Sequence, residues 1–229
     1  MKFSIIIPTL NEEKVIQSCL LALQALRPDC QIIVADGGSS DNTKAIALPL
    51  ADKVINSEKG RSRQMNNGAA EAKGEILIFL HADTYLPDNA LQLIRQHTTE
   101  KNPWGRFDIQ LSGDHSLLKI IALLMIWRSR LSGIATGDQA IFVTRQAFAM
   151  AGRYPEIDLM EDIALCKSLK KISRPVCLPA KVISSGRRWE YNGVCRTILL
   201  MWTLRLLYFF GADPKRLAHF YRRGSIWKR

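Results

Sequence analysis

Short aliphatic runs alternate with amphipathic stretches over the first hundred residues, and this alternation predicts strands and helices in turn. Residues 2 to 8 form a β-branched run ending in Pro8. Thr9-Leu10-Asn11-Glu12 then has capping-box spacing and opens a helical pattern over 15–26. Residues 31–35 repeat the strand signal, Asp36-Gly37-Gly38-Ser39-Ser40-Asp41 breaks it, and 42–48 reads as a second helix. A weaker strand at 54–55, a helix over 62–72 and a fully apolar strand over 75–80 complete the series. Such alternation implies an α/β fold with a mainly parallel central sheet and helices on both faces. Beyond residue 100 the pattern loosens to a strand over 106–111, a helix over 117–127, a strand over 139–143 and a helix over 160–170. No linker rich in Gly, Ser or Pro and no repeat divides the chain.

Composition adds limits. At 229 residues, 47% hydrophobic and 23% charged, the chain can bury a sizeable core and is neither disordered nor collagen-like. Five scattered cysteines without C-x-x-C spacing support neither a disulfide framework nor a zinc site, so a reducing compartment fits. The apolar run at residues 3 to 7 is too short for a signal-peptide core, and a cytoplasmic protein is expected.

The net charge of +11 points to anionic partners. From Arg187 onward, ten basic residues face two acidic ones, so +8 of the +11 lies in the tail. That tail joins the apolar stretch Val194 to Phe210 to a basic run ending in Lys228-Arg229. Seventeen residues carrying Arg196 and Arg205 are too few to span a bilayer. The segment is expected either to pack on protein or to lie peripherally on an anionic membrane surface. No nucleic-acid-binding motif accompanies the charge.

Ligands of such sheets bind beyond the carboxyl ends of strands, where the unusual polar residues fall. Asp83 follows the apolar strand and can either hold a divalent cation or cap the next helix before Pro87. Asp36, before two glycines, can accept bonds from a ligand or shape a turn. Lys59-Gly60-Arg61-Ser62-Arg63 ahead of a helix suits a diphosphate, or is a solvated loop. Glu161-Asp162 in a first helical turn complements the helix dipole or supplies a general base.

Five segments in order, Ile5-Ile6-Ile7-Pro8-Thr9-Leu10-Asn11-Glu12-Glu13, Val34-Ala35-Asp36-Gly37-Gly38-Ser39-Ser40-Asp41-Asn42-Thr43, Phe79-Leu80-His81-Ala82-Asp83-Thr84, Gly137-Asp138-Gln139 and Met160-Glu161-Asp162, resemble glycosyltransferase family 2. Small stand-alone bacterial members, some carrying an arsenosugar-biosynthesis label, are the most similar in outline. The resemblance implies a GT-A fold over 1–189, with a nucleotide-sugar half over 1–100 and an acceptor half over 101–189, and a helical basic tail over 190–229.

It further implies a nucleotide-diphospho-sugar donor near Pro8, Thr9, Glu12, Asp36 and Gly37, with Arg61 or Arg63 on its phosphates. A Mn²⁺ or Mg²⁺ ion would sit on Asp83, with His81 in place of the family's first acid. Asp162 would be the base, and Asp138 would join the acceptor side, for a small-molecule or lipid-linked acceptor. Ser185-Gly186-Arg187-Arg188-Trp189 overlays a Q-x-x-R-W signature of processive synthases, bringing in Arg188 and Trp189, but Ser185 replaces the Gln and implies single addition. A nucleotidyltransferase on a related fold, or a non-catalytic binder of anionic ligands, is the alternative.

Overall fold

The computed structural model describes residues 2–223, leaving Lys228 and Arg229 of the basic tail outside the described residues; so are the side chains of Arg188 and Asn192. In the first half, β1 (Phe3–Thr9), β2 (Cys30–Asp36), β3 (Lys53–Asn56) and β4 (Ile76–Phe79) alternate with α1 (Ile16–Ala22), α2 (Thr43–Ala47) and α3 (Arg61–Glu71). The second half runs β5 (Thr84–Tyr85), α4 (Ala90–His97), β6 (Trp104–Ser112), α5 (Leu117–Ser132), β7 (Ile141–Thr144), α6 (Arg145–Met150), α7 (Glu161–Leu169) and β8 (Val176–Ser185). It closes with α8 (Arg187–Asn192), α9 (Val194–Phe209) and α10 (Pro214–Arg223).

One eight-stranded sheet carries all of this, in the order β3-β2-β1-β4-β7-β6-β8-β5. The four first-half strands are mutually parallel, and β6 pairs with β8 in parallel. Pairings of β7 with β4 and β6, and of β5 with β8, are antiparallel. Successive residues of the parallel strands enter opposite cores, because side chains alternate along a strand. Ile5, Ile7, Ile32 and Val34 join Ile16 of α1, Ile94 of α4 and Ile121 of α5 on one face. Ile6, Ile33, Leu77 and Phe79 join Met65 of α3, Phe148 of α6 and Leu165 of α7 on the other. Burial on both faces explains why these runs are continuously apolar.

Two local expectations are corrected. The capping box at Thr9–Glu12 does not form: α1 begins at Ile16 without a side-chain cap, and Asn11 takes a left-handed φ of 57°. Thr9 instead spends its hydroxyl on Asp36 across the strands, at 3.1 Å. Nor does Asp83 or Thr84 cap the next helix, since α4 starts at Ala90 and Thr84 bonds Ser184 across β5 and β8.

Strand β8 was not anticipated. Its register against β6 jumps from Phe107 opposite Leu178 to Asp108 opposite Lys181, so Pro179 and Ala180 are skipped in a bulge. Proline has no N–H to give a ladder, and a bulge is where a strand tolerates it. Beside it Asp108 binds Arg106 of its own strand and accepts from Arg130 of α5 at 2.8 Å, tying α5 to the sheet.

Candidate active site

The directions of these strands bring several chain segments to one edge of the sheet. β1, β2, β4, β6 and β8 all end there, and antiparallel β7 starts there, preceded by Gly137–Gln139. Above this edge opens a cleft of about 1470 Å³. Its walls include Pro8, Thr9, Glu12, Arg61, His81, Asp83, Asp138, Asp162 and Trp189 from the residues singled out in the sequence. Asp36, Gly37 and Arg63 are not among its lining residues.

Asp36 is fully buried and its carboxylate is already engaged. Oδ1 accepts from the backbone of Gly38 (3.0 Å) and Ser39 (2.8 Å), while Oδ2 accepts from Ser39 Oγ at 2.5 Å and from Thr9. The turn reading of this segment is thus realised, with Gly38 at a φ of 91°. Gly37 is covered by Gln64, whose Nε2 donates to Thr9 O at 2.7 Å and Ala35 O at 2.8 Å. Gln64 lines the cleft and clamps the ends of β1 and β2. A polar residue in the middle of a helix gives no sign of such a task, and sequence reasoning missed it.

The two arginines of the 59–63 segment part company. Arg63 pairs with Glu58 and Glu156 at the surface, whereas Arg61 lies in the cleft 3.2 Å from Glu161. Burial works against its charge, but Glu161, then Tyr221 and Asp162, more than offset this and raise its pKa. Its guanidinium is a fixed cation facing the cleft.

Met160 adopts a left-handed φ of 69° ahead of α7 and turns the helix's first residues, Glu161 and Asp162, to the cleft. Its side chain is held in a core with Leu159, Leu200 and Leu204 of α9 and Leu217 of α10. Asp162 Oδ2 accepts from the Gly137 N–H at 2.8 Å, and its buried Oδ1 has no partner among the described residues. Burial, then the neighbouring Glu161, lifts this carboxyl to about 7. Nearby Asp138 is also raised by burial. Gly137 must be glycine: a Cβ there would lie 2.2 Å from His81 Nε2 and 3.1 Å from Asp162 Oδ2.

That contact also locates His81. Its Nε2 is buried against Gly137 and has no partner, and burial, then Arg61, lowers its pKa to about 3, so the ring is neutral. Asp83 faces the cleft mouth about one-third exposed, 3.5 Å from Arg187. It also helps raise Glu12, after burial. The described residues include no group of three or more histidine, cysteine or acidic side chains placed to share a metal. Asp83 without two further such ligands suits an ion that keeps its waters and arrives on a substrate phosphate, rather than a protein cage.

Arg188 lies on α8, its side chain outside the described residues, and Trp189 reaches the cleft. The outer wall also draws on α5, α9 and, through Ala218, Tyr221 and Arg222, α10. No helix among the described residues is long and apolar enough to cross a membrane.

Comparison with known proteins bears on this architecture. Residues 4–125 match the profile of the family described as "Glycosyl transferase family 2". A Campylobacter jejuni GalNAc(5)-diNAcBac-PP-undecaprenol beta-1,3-glucosyltransferase is 32% identical over 108 residues, covering 43% of this chain and 35% of that protein. A PGL/p-HBAD biosynthesis glycosyltransferase of Mycobacterium bovis is 41% identical over 93 residues, covering 37% and 36%. The chain thus spans about a third of the length of these curated relatives.

Among solved structures, the mannosyltransferase PcManGT of Pyrobaculum calidifontis, in complex with GDP-Man and Mn²⁺, superposes with a TM-score of 0.67 at 18% identity, over 95% of this chain and 68% of that one. Staphylococcus aureus TarS 1-349 in complex with UDP-GlcNAc gives 0.66 at 18% identity, over 88% and 67%. These likenesses establish the expected fold.

Proposed function

The chain belongs to glycosyltransferase family 2, and on that footing we propose that its cleft transfers a sugar from a nucleotide-diphospho-sugar to an acceptor hydroxyl, with inversion and one sugar at a time. The observation that carries this reading is the state of Asp162. One oxygen is fixed by a backbone N–H, the other is buried and unpartnered among the described residues, and the residue lines the same cleft as a fixed cation. A general base needs such a pre-oriented free lone pair and a pKa near the working pH.

The division of roles follows from position. Pro8, Thr9 and Glu12, at the carboxyl end of β1, face the donor's nucleotide, with Asp36 and Gly37 holding the loop behind them. Arg61 faces the diphosphate and holds Glu161, which keeps that acid from competing for the acceptor's proton. Asp162 Oδ1 accepts the proton as the hydroxyl attacks, with Asp138 beside it on the acceptor side. Asp83 would hold a divalent ion, which when bound offsets charge on the departing diphosphate. His81 stays neutral, packed under Gly137 next to the base. This reading assigns no second, nucleophilic carboxylate, which a retaining route by covalent intermediate would require on the opposite face of the sugar.

The relative acting on a PP-undecaprenol substrate and the basic, apolar α9–α10 segment support an acceptor at an anionic membrane surface, with peripheral attachment from the cytoplasmic side. Thermal melts with a panel of nucleotide sugars, with and without Mn²⁺, test the donor assignment. A ligand at a hundred times its Kd stabilises by about 2.7 kcal/mol. Stabilisation by one class of nucleotide sugar and its nucleoside diphosphate is expected. No response to any would refute the reading, and in product analysis with the labelled nucleotide sugar, release of sugar 1-phosphate with the nucleotidyl group moved to product would favour a nucleotidyltransferase.

A further inference from the structure

Two of the helices that wall the cleft, α5 and α9, each turn a stripe of the same make-up inward. On α5 the stripe is Leu124, Trp127 and Arg128; on α9 it is Met201, Trp202, Arg205, Leu206 and Phe209. Both follow the three- and four-residue steps of one helix face. The buried face of α5, with Ile121 and Met125 as well as Leu118, Ala122 and Ile126, packs on the sheet, and that of α9 packs through Thr197, Leu200 and Leu204. The inward stripes are therefore not needed to close a core. They are apolar where water reaches them: Leu124 is 55% exposed, Trp202 69% and Phe209 75%.

Each stripe carries one arginine, and in both Arg128 and Arg205 a buried Nε has no hydrogen-bond partner among the described residues. An N–H removed from water and left unbonded costs roughly 1–3 kcal/mol, which a bound anion would recover. Thr136 Oγ1 occupies only one terminal nitrogen of Arg128, at 3.4 Å. Apolar walls with unsatisfied guanidinium groups are complementary to one kind of molecule, a hydrocarbon chain with an anionic head.

We infer that the acceptor is a phosphate-headed lipid, its hydrocarbon lying between α5 and α9 and its phosphate on Arg128 and Arg205. This rests on the transferase reading for the word acceptor; the binding site itself does not depend on it.

Calorimetry on the full chain tests it with dodecyl phosphate below its micellar concentration, inorganic phosphate and dodecyl maltoside. Dodecyl phosphate should bind at least about tenfold more tightly than either of the others, the worth of one charge-assisted bond. Arg128→Gln and Arg205→Gln should each lose that preference while keeping wild-type melting temperatures and wild-type affinity for UDP or GDP with Mn²⁺. Leu124→Gln should weaken dodecyl phosphate and leave inorganic phosphate unchanged. Equal binding of both amphiphiles, or a preference that survives in both arginine variants, would overturn the inference. Binding of UDP or GDP without any preference for dodecyl phosphate overturns this inference alone. Preference for dodecyl phosphate without binding of either nucleotide supports the lipid site and overturns the transferase reading.

Discussion

The two sides of the cleft are built on different physical terms. The donor side is a set of parallel strands whose apolar bodies are buried on both faces and whose polar residues begin where the strands end. Apart from the buried Nε2 of His81, its contacts are short and saturated: Asp36 has four bonds, and Gln64 bridges two strands. The acceptor side is assembled from antiparallel pairings, a bulged strand and two helices with apolar inward faces, and it keeps unpartnered atoms on Arg128, Asp138, Asp162 and Arg205. A site that binds one constant ligand can be stiff and satisfied before the ligand arrives. On the proposed roles, the side that does chemistry holds free lone pairs and donors, at some cost in stability.

The largest effect expected from disturbing this contrast is in Asp162→Asn. An amide cannot accept the acceptor's proton at neutral pH, so turnover should fall roughly 10²- to 10⁴-fold. Donor affinity by calorimetry should not change. Near-normal turnover with a large loss in Glu161→Gln would transfer the role to the neighbouring acid.

Next comes Asp83→Ala, on the donor side. Losing the Asp83 carboxylate should weaken nucleoside diphosphate binding roughly 10- to 100-fold in the presence of Mn²⁺. The residual affinity should no longer respond to the metal. An unchanged Mn²⁺ dependence would remove Asp83 from the metal site.

Gln64→Ala tests whether the donor side is held by its satisfied bonds. Two strand-end carbonyls would lose their donor, at roughly 1–3 kcal/mol, a melting point lower by several degrees. Donor affinity should fall with it. A variant as stable as the wild type would mean that the strand ends hold without the clamp.

How much of this was legible in the sequence divides along the same line. The strands of the donor side and the polar residues at their ends are local patterns, and they could be placed to within a residue or two. Asp83 and Asp162 came from short motifs. What could not be seen is non-local. Gly137 fixes Asp162 from 25 positions away, and β8 is hidden by Pro179 until its bulge against β6 is known. Thr9 and Glu12 have the spacing of a helix cap, but the chain at Asn11 turns through a left-handed conformation, and cross-strand bonds win over the local one. Arg61 and Arg63 are equivalent in sequence, and only the position of Glu161 separates them.

The smallest effect is on stability. Because burial raises the Asp162 pKa above its unfolded value, its ionised form costs folding free energy. That cost is full above about pH 7, shrinks as pH falls from 7 to 4, and vanishes below the ordinary carboxylate range. Asp162→Asn should therefore melt a few degrees higher than wild type at pH 8, and the difference should close by pH 4. A variant less stable at pH 8 would show that the carboxylate is well solvated or paired.

The pH dependence of kcat/KM tests the role of Asp162 most directly, because it reports the protonation of the free enzyme's base. With saturating metal and the donor identified by melting, the rate should rise through an apparent pKa near 7 and level off above it. The residual rate of Asp162→Asn should lack that inflection. A wild-type profile that stays flat from pH 8 down to pH 5 would contradict the account, since a buried carboxyl shifted this far would be protonated there and could not act as a base.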